Sequence, residues 1–88
     1  MDLYEQNWQA LADVASDPYT PPICLNILAK NEDYRVRYAV AENPNTSPQI
    51  LNILAMDAHE CVREKAKQNP NYPRNFLETL CYWIRRNG

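Results

Sequence analysis

The chain has 88 residues, 45% of them hydrophobic and 23% charged, with a formal net charge of −2. That length makes one small domain with no room for a second, and no apolar run of about 18 residues is present to span a membrane. The balance lacks the strong basic excess of a dedicated nucleic-acid module, and three scattered cysteines, an odd number, give no disulfide framework and suit a reducing cytoplasm.

The first segment, Met1-Asp-Leu-Tyr-Glu, has neither the basic nor the apolar region of a signal peptide. Tyr4, Trp8, Leu11 and Ala15 then follow one face of a helix, which predicts an N-terminal cap over 1–16. Next comes a phrase that the chain repeats. Pro18-Tyr-Thr-Pro-Pro-Ile-Cys-Leu-Asn-Ile-Leu-Ala29 returns as Pro44-Asn-Thr-Ser-Pro-Gln-Ile-Leu-Asn-Ile-Leu-Ala55, and a weaker echo begins at Pro70, a spacing of 26 residues each time. Without a gap, identities fall at Pro18/Pro44, Thr20/Thr46, Pro22/Pro48, Leu25/Leu51, Asn26/Asn52, Ile27/Ile53, Leu28/Leu54, Ala29/Ala55, Val36/Val62, Arg37/Arg63 and Asn43/Asn69. A fixed period of this size marks a stacked repeat, in which each unit packs on its neighbours. The division is a cap at 1–16, repeats at 18–43 and 44–69, and a partial repeat with a C-terminal cap at 70–88.

Each unit reads as two helices. The longer is expected to open on an N-cap at Thr20 or Thr46, with proline tolerated in its first turn and a capping box between Thr46 and Gln49. Leu25, Leu28 and Ala29, then Leu51, Leu54 and Ala55, share its inner face. The second helix is expected to open near Asn31 and Asp57, with Asp57 and Glu60 at capping-box spacing. Its buried stripe is thin, Val36 and Val40, then Val62 and Ala66, and its shortness allows partial 3₁₀ character. It ends at Asn43-Pro44 and Asn69-Pro70, because a residue before proline is pushed out of the helical region. The fold class is therefore all-α: a short α-solenoid of about two full repeats with terminal capping helices.

The phrase Val36-Arg37-Tyr-Ala-Val40-Ala41-Glu-Asn43-Pro44-Asn-Thr46-Ser-Pro48-Gln-Ile-Leu51-Asn-Ile-Leu54-Ala55 resembles the variant leucine-rich repeat family, whose pattern is Val-Arg, Val-Ala, Asn-Pro, Thr-Pro and a Leu-Leu and Leu-Ala helix. Val62-Arg63 and Asn69-Pro70 match the next copy, so the likeness covers about residues 17–81. The resemblance implies a right-handed superhelix of alternating α and 3₁₀ helices, related to HEAT-type solenoids, with the second helix as the 3₁₀ candidate. Some relatives carry an iron–sulfur cluster on a separate cysteine-rich segment. This chain has no such segment, and Cys24, Cys61 and Cys81 do not supply the four thiolates of a common cluster.

No catalytic constellation stands out. His59, the single histidine, lies two residues from Cys61, and such neighbours point about 200° apart on a helix. Gly88 is the only glycine, so no phosphate-binding loop is present. The reading is a non-enzymatic module with no cofactor or metal, presenting a repeat surface to a protein partner. Arg37, Tyr38, Arg63, Lys65 and Lys67 are its expected contacts. Arg37 and Arg63 form either a guanidinium ladder able to grip carboxylate or phosphate, or a structural pair bound to helix carbonyls or to a neighbouring unit's acid. Asn43 and Asn69 are expected to cap backbone groups, while Asn26 and Asn52 either bridge units or line a surface. The alternative is nucleic-acid binding by Arg63, Lys65, Lys67 and Arg74, with Tyr72 for stacking. Phe76, Leu80 and Trp83 are candidates for homo-oligomer contacts. Residues 1–33 sum to −5 and 34–88 to +3, a polarity that suits an oppositely charged partner.

Overall fold

The prolines and asparagines between helices set the architecture, because they stop each helix at the same phase of the repeat. The computed structural model describes residues 3–73, with side chains from residue 7 onward. Within them are five helices: α1 (Leu3–Ser16), α2 (Pro22–Leu28), α3 (Tyr34–Glu42), α4 (Pro48–Leu54) and α5 (Glu60–Gln68). No strand occurs among the described residues. The third unit beyond residue 73, with Phe76, Leu80, Trp83 and the expected C-terminal cap, lies outside them, as does the side chain of Tyr4.

The helices form two layers. In one, α1 packs on α3 and α3 on α5. In the other, α2 lies against α1 and α3, and α4 lies against α3 and α5. Each short helix thus bridges two members of the longer row. The expected leucine face is the buried one: Leu25, Leu28 and Ala29, then Leu51, Leu54 and Ala55, all lie in the core. Val36, Val40, Val62 and Ala66 are fully buried too. The stripe on α3 is wider than the valines suggested, since Ala39 and Ala41 are also in the core. Each buried leucine or valine contributes about 1.5–3 kcal/mol relative to exposure. Trp8 and Leu11 are half-buried against this core, and Ala15 is fully buried.

Three local expectations are corrected. The threonines are not N-caps. Pro21 and Ser47 hold those positions, and Ser47 Oγ accepts from Ile50 N at 3.3 Å, so the Thr46–Gln49 capping box does not form. Thr20 and Thr46 are buried one residue earlier and donate their hydroxyls backward, to Val14 O and, at 2.6 Å, to Val40 O. A threonine can cap forward or bond back to the preceding turn, and the buried turn selects the second.

The second helices start later than expected, at Tyr34 and Glu60, with Asp33 and His59 as N-caps. Asp57 spends its carboxylate elsewhere, so no capping box joins it to Glu60. These helices are also the longer ones, nine residues of α-helix against seven in α2 and α4. Both kinds of helix are α-helical along their length and end on 3₁₀-type bonds: Lys30 N donates to Ile27 O and Met56 N to Ile53 O after the short helices, and Asn43 N to Val40 O and Asn69 N to Ala66 O at the ends of α3 and α5. Such bonds satisfy terminal carbonyls without the glycine that a left-handed cap needs, and no described residue has positive φ.

Candidate interaction surface

Asparagine before proline joins one unit to the next. Pro44 holds Asn43 in extended backbone, φ −68° and ψ 126°, which ends α3 and turns the side chain into the stack. Asn43 Nδ2 donates to Ala15 O at 2.7 Å and Asp17 O at 2.9 Å, and its Oδ1 accepts from Asn45 N at 2.8 Å. One unit later, Asn69 Nδ2 donates to Ala41 O at 2.9 Å and Asn43 O at 2.8 Å, and its Oδ1 accepts from Asn71 N. Asn45 and Asn71 add donations to Pro18 O and Pro44 O. At the first turn stands Asp17, whose Oδ1 accepts from Tyr19 N at 2.9 Å. A carboxylate performs only the accepting half of this pattern. The expected capping role of Asn43 and Asn69 is therefore present, together with a cross-unit role that the sequence did not reveal.

A second ladder runs through the arginines. Arg37 Nη1 donates to Asn31 O at 2.7 Å and Glu32 O at 3.0 Å, clasping the turn before its own helix. Its other edge grips Asp57 of the following unit, Nε to Oδ2 at 2.7 Å and Nη2 to Oδ1 at 3.1 Å. Burial by itself would raise the Asp57 carboxyl. The hydrogen bonds from Arg37 and from His59 N, with the guanidinium charge, outweigh it and hold the group below its ordinary value. Arg63 Nη1 repeats the first half, donating to Asp57 O at 2.7 Å and Ala58 O at 3.1 Å.

The other expected contacts are only partly brought together. Lys65 Nζ lies 3.5 Å from Glu42 Oε2 and 5.8 Å from the centre of the Tyr38 ring, so these residues meet across α3 and α5. Lys67 is exposed, one turn beyond Arg63 on the same side of α5. Tyr72, the stacking candidate, is half-buried against the core. Asn26 and Asn52 are exposed, and no hydrogen bond reaches either side chain among the described residues, where the bridging runs through Asn43 and Asn69.

Several surface features had no local signal. Tyr34 stacks on His59 at 3.8 Å between ring centres, while His59 Nδ1 accepts from Cys61 N at 3.2 Å. That histidine caps α5 through the Cys61 backbone N–H. Arg35 lies 3.9 Å over the Trp8 ring and pairs with Asp33 at 2.7 Å. An open groove beside them is lined by Asn7, Trp8, Leu11, Asn31, Glu32 and Asp33. Ile23, Ile27, Ile53 and Met56 are exposed on and after the short helices. Among the described residues, no group of three or more His, Cys, Asp or Glu could hold a metal ion, and no helix is long and apolar enough to cross a membrane.

Residues 34–59, which run from α3 to the N-cap of α5, match the family model for the leucine rich repeat variant. The matched stretch contains the Val-Arg pair, the Asn-Pro turn and the Arg37–Asp57 bridge. This is a non-catalytic kind of repeat, which suggests a module for protein interaction. Neither a curated protein nor a solved structure matches the chain.

Proposed function

We propose that this leucine-rich-repeat-variant chain is a non-enzymatic protein-interaction module, and that the outward side of α5 contacts the partner. The observation that carries this reading is a change of exposure at one repeat position. Ala15 and Ala41 hold that position in α1 and α3, and both are fully buried where the next unit covers them. Lys67 holds it in α5 and is exposed. Glu64 is likewise exposed where Tyr38 is half-buried. The same register that stacks two units therefore offers a charged surface at the third.

In this reading Arg63 and Lys67 make the contact, with Lys65 and Tyr38 framing it. Arg37 acts from within, because both edges of its guanidinium are already bonded. Rim charges of this kind mainly govern encounter rate and salt dependence.

The test compares proteins captured by the immobilised wild-type chain with those captured by Lys67→Glu and by Glu64→Lys. These positions lie outside the core, so circular dichroism should be unchanged. Loss of a specific partner with Lys67→Glu is the expected result. If both variants retain every wild-type partner, this side of α5 is not the contact.

A further inference from the structure

Two guanidinium groups are positioned alike and used differently. Arg37 and Arg63 each turn Nη1 onto two carbonyl oxygens of the preceding turn. This contact engages one amino group of each guanidinium and leaves its Nε–Nη2 edge unused by the turn. In Arg37 that edge is filled by the Asp57 carboxylate, with two near-parallel bonds of 2.7 and 3.1 Å. In Arg63 no hydrogen bond or ion pair reaches the corresponding edge among the described residues. The residue one period after Asp57 is Trp83, which has no carboxylate to offer.

We propose that the Nε–Nη2 edge of Arg63 is a receptor for one carboxylate side chain on an acidic segment of a protein partner. This names the partner chemistry of the α5 surface and rests on that reading. The template is internal: the same residue, held by the same pair of carbonyls, binds a carboxylate one unit earlier. A guanidinium fork matches a carboxylate in two parallel bonds, which a lysine cannot do. Because the turn carbonyls already hold the fork, little side-chain freedom remains to be lost on binding.

Lys67, exposed one turn away on α5, adds a second positive charge for a carboxylate to meet. Glu60 and Glu64 are exposed on the same helix, so α5 lacks the unbroken basic surface of a nucleic-acid module.

The experiment follows the arginine Nε–H resonances of the full chain by NMR. The probe is a blocked hexapeptide of alternating Ser and Asp, with its Ser-Asn counterpart and a short oligothymidylate as comparisons. The Ser-Asp peptide should shift the Arg63 Nε–H saturably and leave that of Arg37 in place, and the Ser-Asn peptide should shift neither. Arg63→Lys, which keeps the charge and loses the fork, should weaken binding by about tenfold. Lys67→Glu, which touches neither turn carbonyl, should weaken it with an otherwise unchanged spectrum.

Shifts in α5 backbone amides with a stationary Arg63 Nε–H would overturn the receptor and leave the α5 surface standing. So would equal shifts from the Ser-Asn peptide. Tighter binding of the oligothymidylate at Arg63 would transfer the site to nucleic acid. No shift anywhere would remove the acidic partner, while the capture experiment would still report separately on the surface.

Discussion

Set in repeat register, α3 and α5 share Val36/Val62, Arg37/Arg63 and the closing Asn43/Asn69. In both copies the valine is fully buried, the arginine clasps the preceding turn, and the asparagine reaches back to the earlier unit. The copies diverge at Tyr38/Glu64, Ala39/Lys65 and Ala41/Lys67. Ala39 and Ala41 are buried, and Tyr38 is half-buried. Glu64 and Lys67 are exposed, while Lys65 reaches back to Glu42 beside Tyr38. Identity between the copies thus marks residues that hold a turn or a unit in place, and difference marks the side where α5 meets no further described helix. In the reading proposed above, that side of α5 is where a partner is met.

The comparison can be broken hardest at its shared asparagine. Asn43→Leu removes both donations to Ala15 O and Asp17 O and the acceptor for Asn45 N, at a residue only 1% exposed. Buried groups left without partners cost roughly 1–3 kcal/mol each, so a loss near 4 kcal/mol is expected in urea unfolding. Asn45→Ala, at an exposed position, should cost about 1 kcal/mol or less. Equal losses from the two variants would show that burial does not separate the two halves of the ladder.

The diverged position gives the next largest effect. Ala41→Lys places in α3 the residue that α5 carries, at a site with no exposure. Burying an ammonium there should cost about 3 kcal/mol or more, read as a lower thermal midpoint. The reverse change, Lys67→Ala, should stay within about 0.5 kcal/mol, as surface substitutions do. If Lys67→Ala destabilises as much as Ala41→Lys, the exposed position of Lys67 is not what sets it apart from Ala41, and the asymmetry between the helices fails.

The period and the core were legible because they are written in local spacing. Leu25, Leu28 and Ala29 fall at i, i+3 and i+4, and Leu51, Leu54 and Ala55 repeat them, so the inner face can be read without coordinates. Helix starts were less legible, because the hydroxyl of Thr46 has two local options and only burial of its turn decides between them. The arginine bridge was legible in kind but not in partner: a structural Arg37 bound to carbonyls or to a neighbouring unit's acid was one of the two expected readings, and nothing in the spacing named Asp57. Asp57 lies 20 residues from Arg37, beyond any helical or turn pattern, and its spacing from Glu60 imitated a capping box. The candidate surface fell between these cases. Lys65 and Lys67 stood out as mismatches between copies, but only the structure separates Lys65, paired with Glu42, from exposed Lys67.

The smallest of the three effects concerns that bridge, and acid titration isolates it. Asp57 has a side chain 8% exposed, against 17% for Arg37, and its carboxyl is held below the ordinary value in the folded chain. A depressed folded pKa stabilises the fold above the unfolded pKa, and that contribution fades as pH falls through the folded value. Asp57→Asn abolishes the titration and the charge that Arg37 grips. At neutral pH the variant should be less stable by about 2 kcal/mol, the scale of a hydrogen-bonded charge pair. The gap between wild type and variant should stay constant down to about pH 5, then narrow progressively below about pH 4, where the unfolded carboxyl begins to bind its proton. Urea midpoints measured from pH 7 to pH 2 read this directly. A gap that persists undiminished at pH 2 would mean that the substitution acts through packing, and that the carboxylate is not what ties α3 to the turn before α5. Because Arg63 has no such carboxylate among the described residues, Arg63→Lys should show no matching acid-dependent loss. That contrast would distinguish an occupied guanidinium edge from an open one without any partner present.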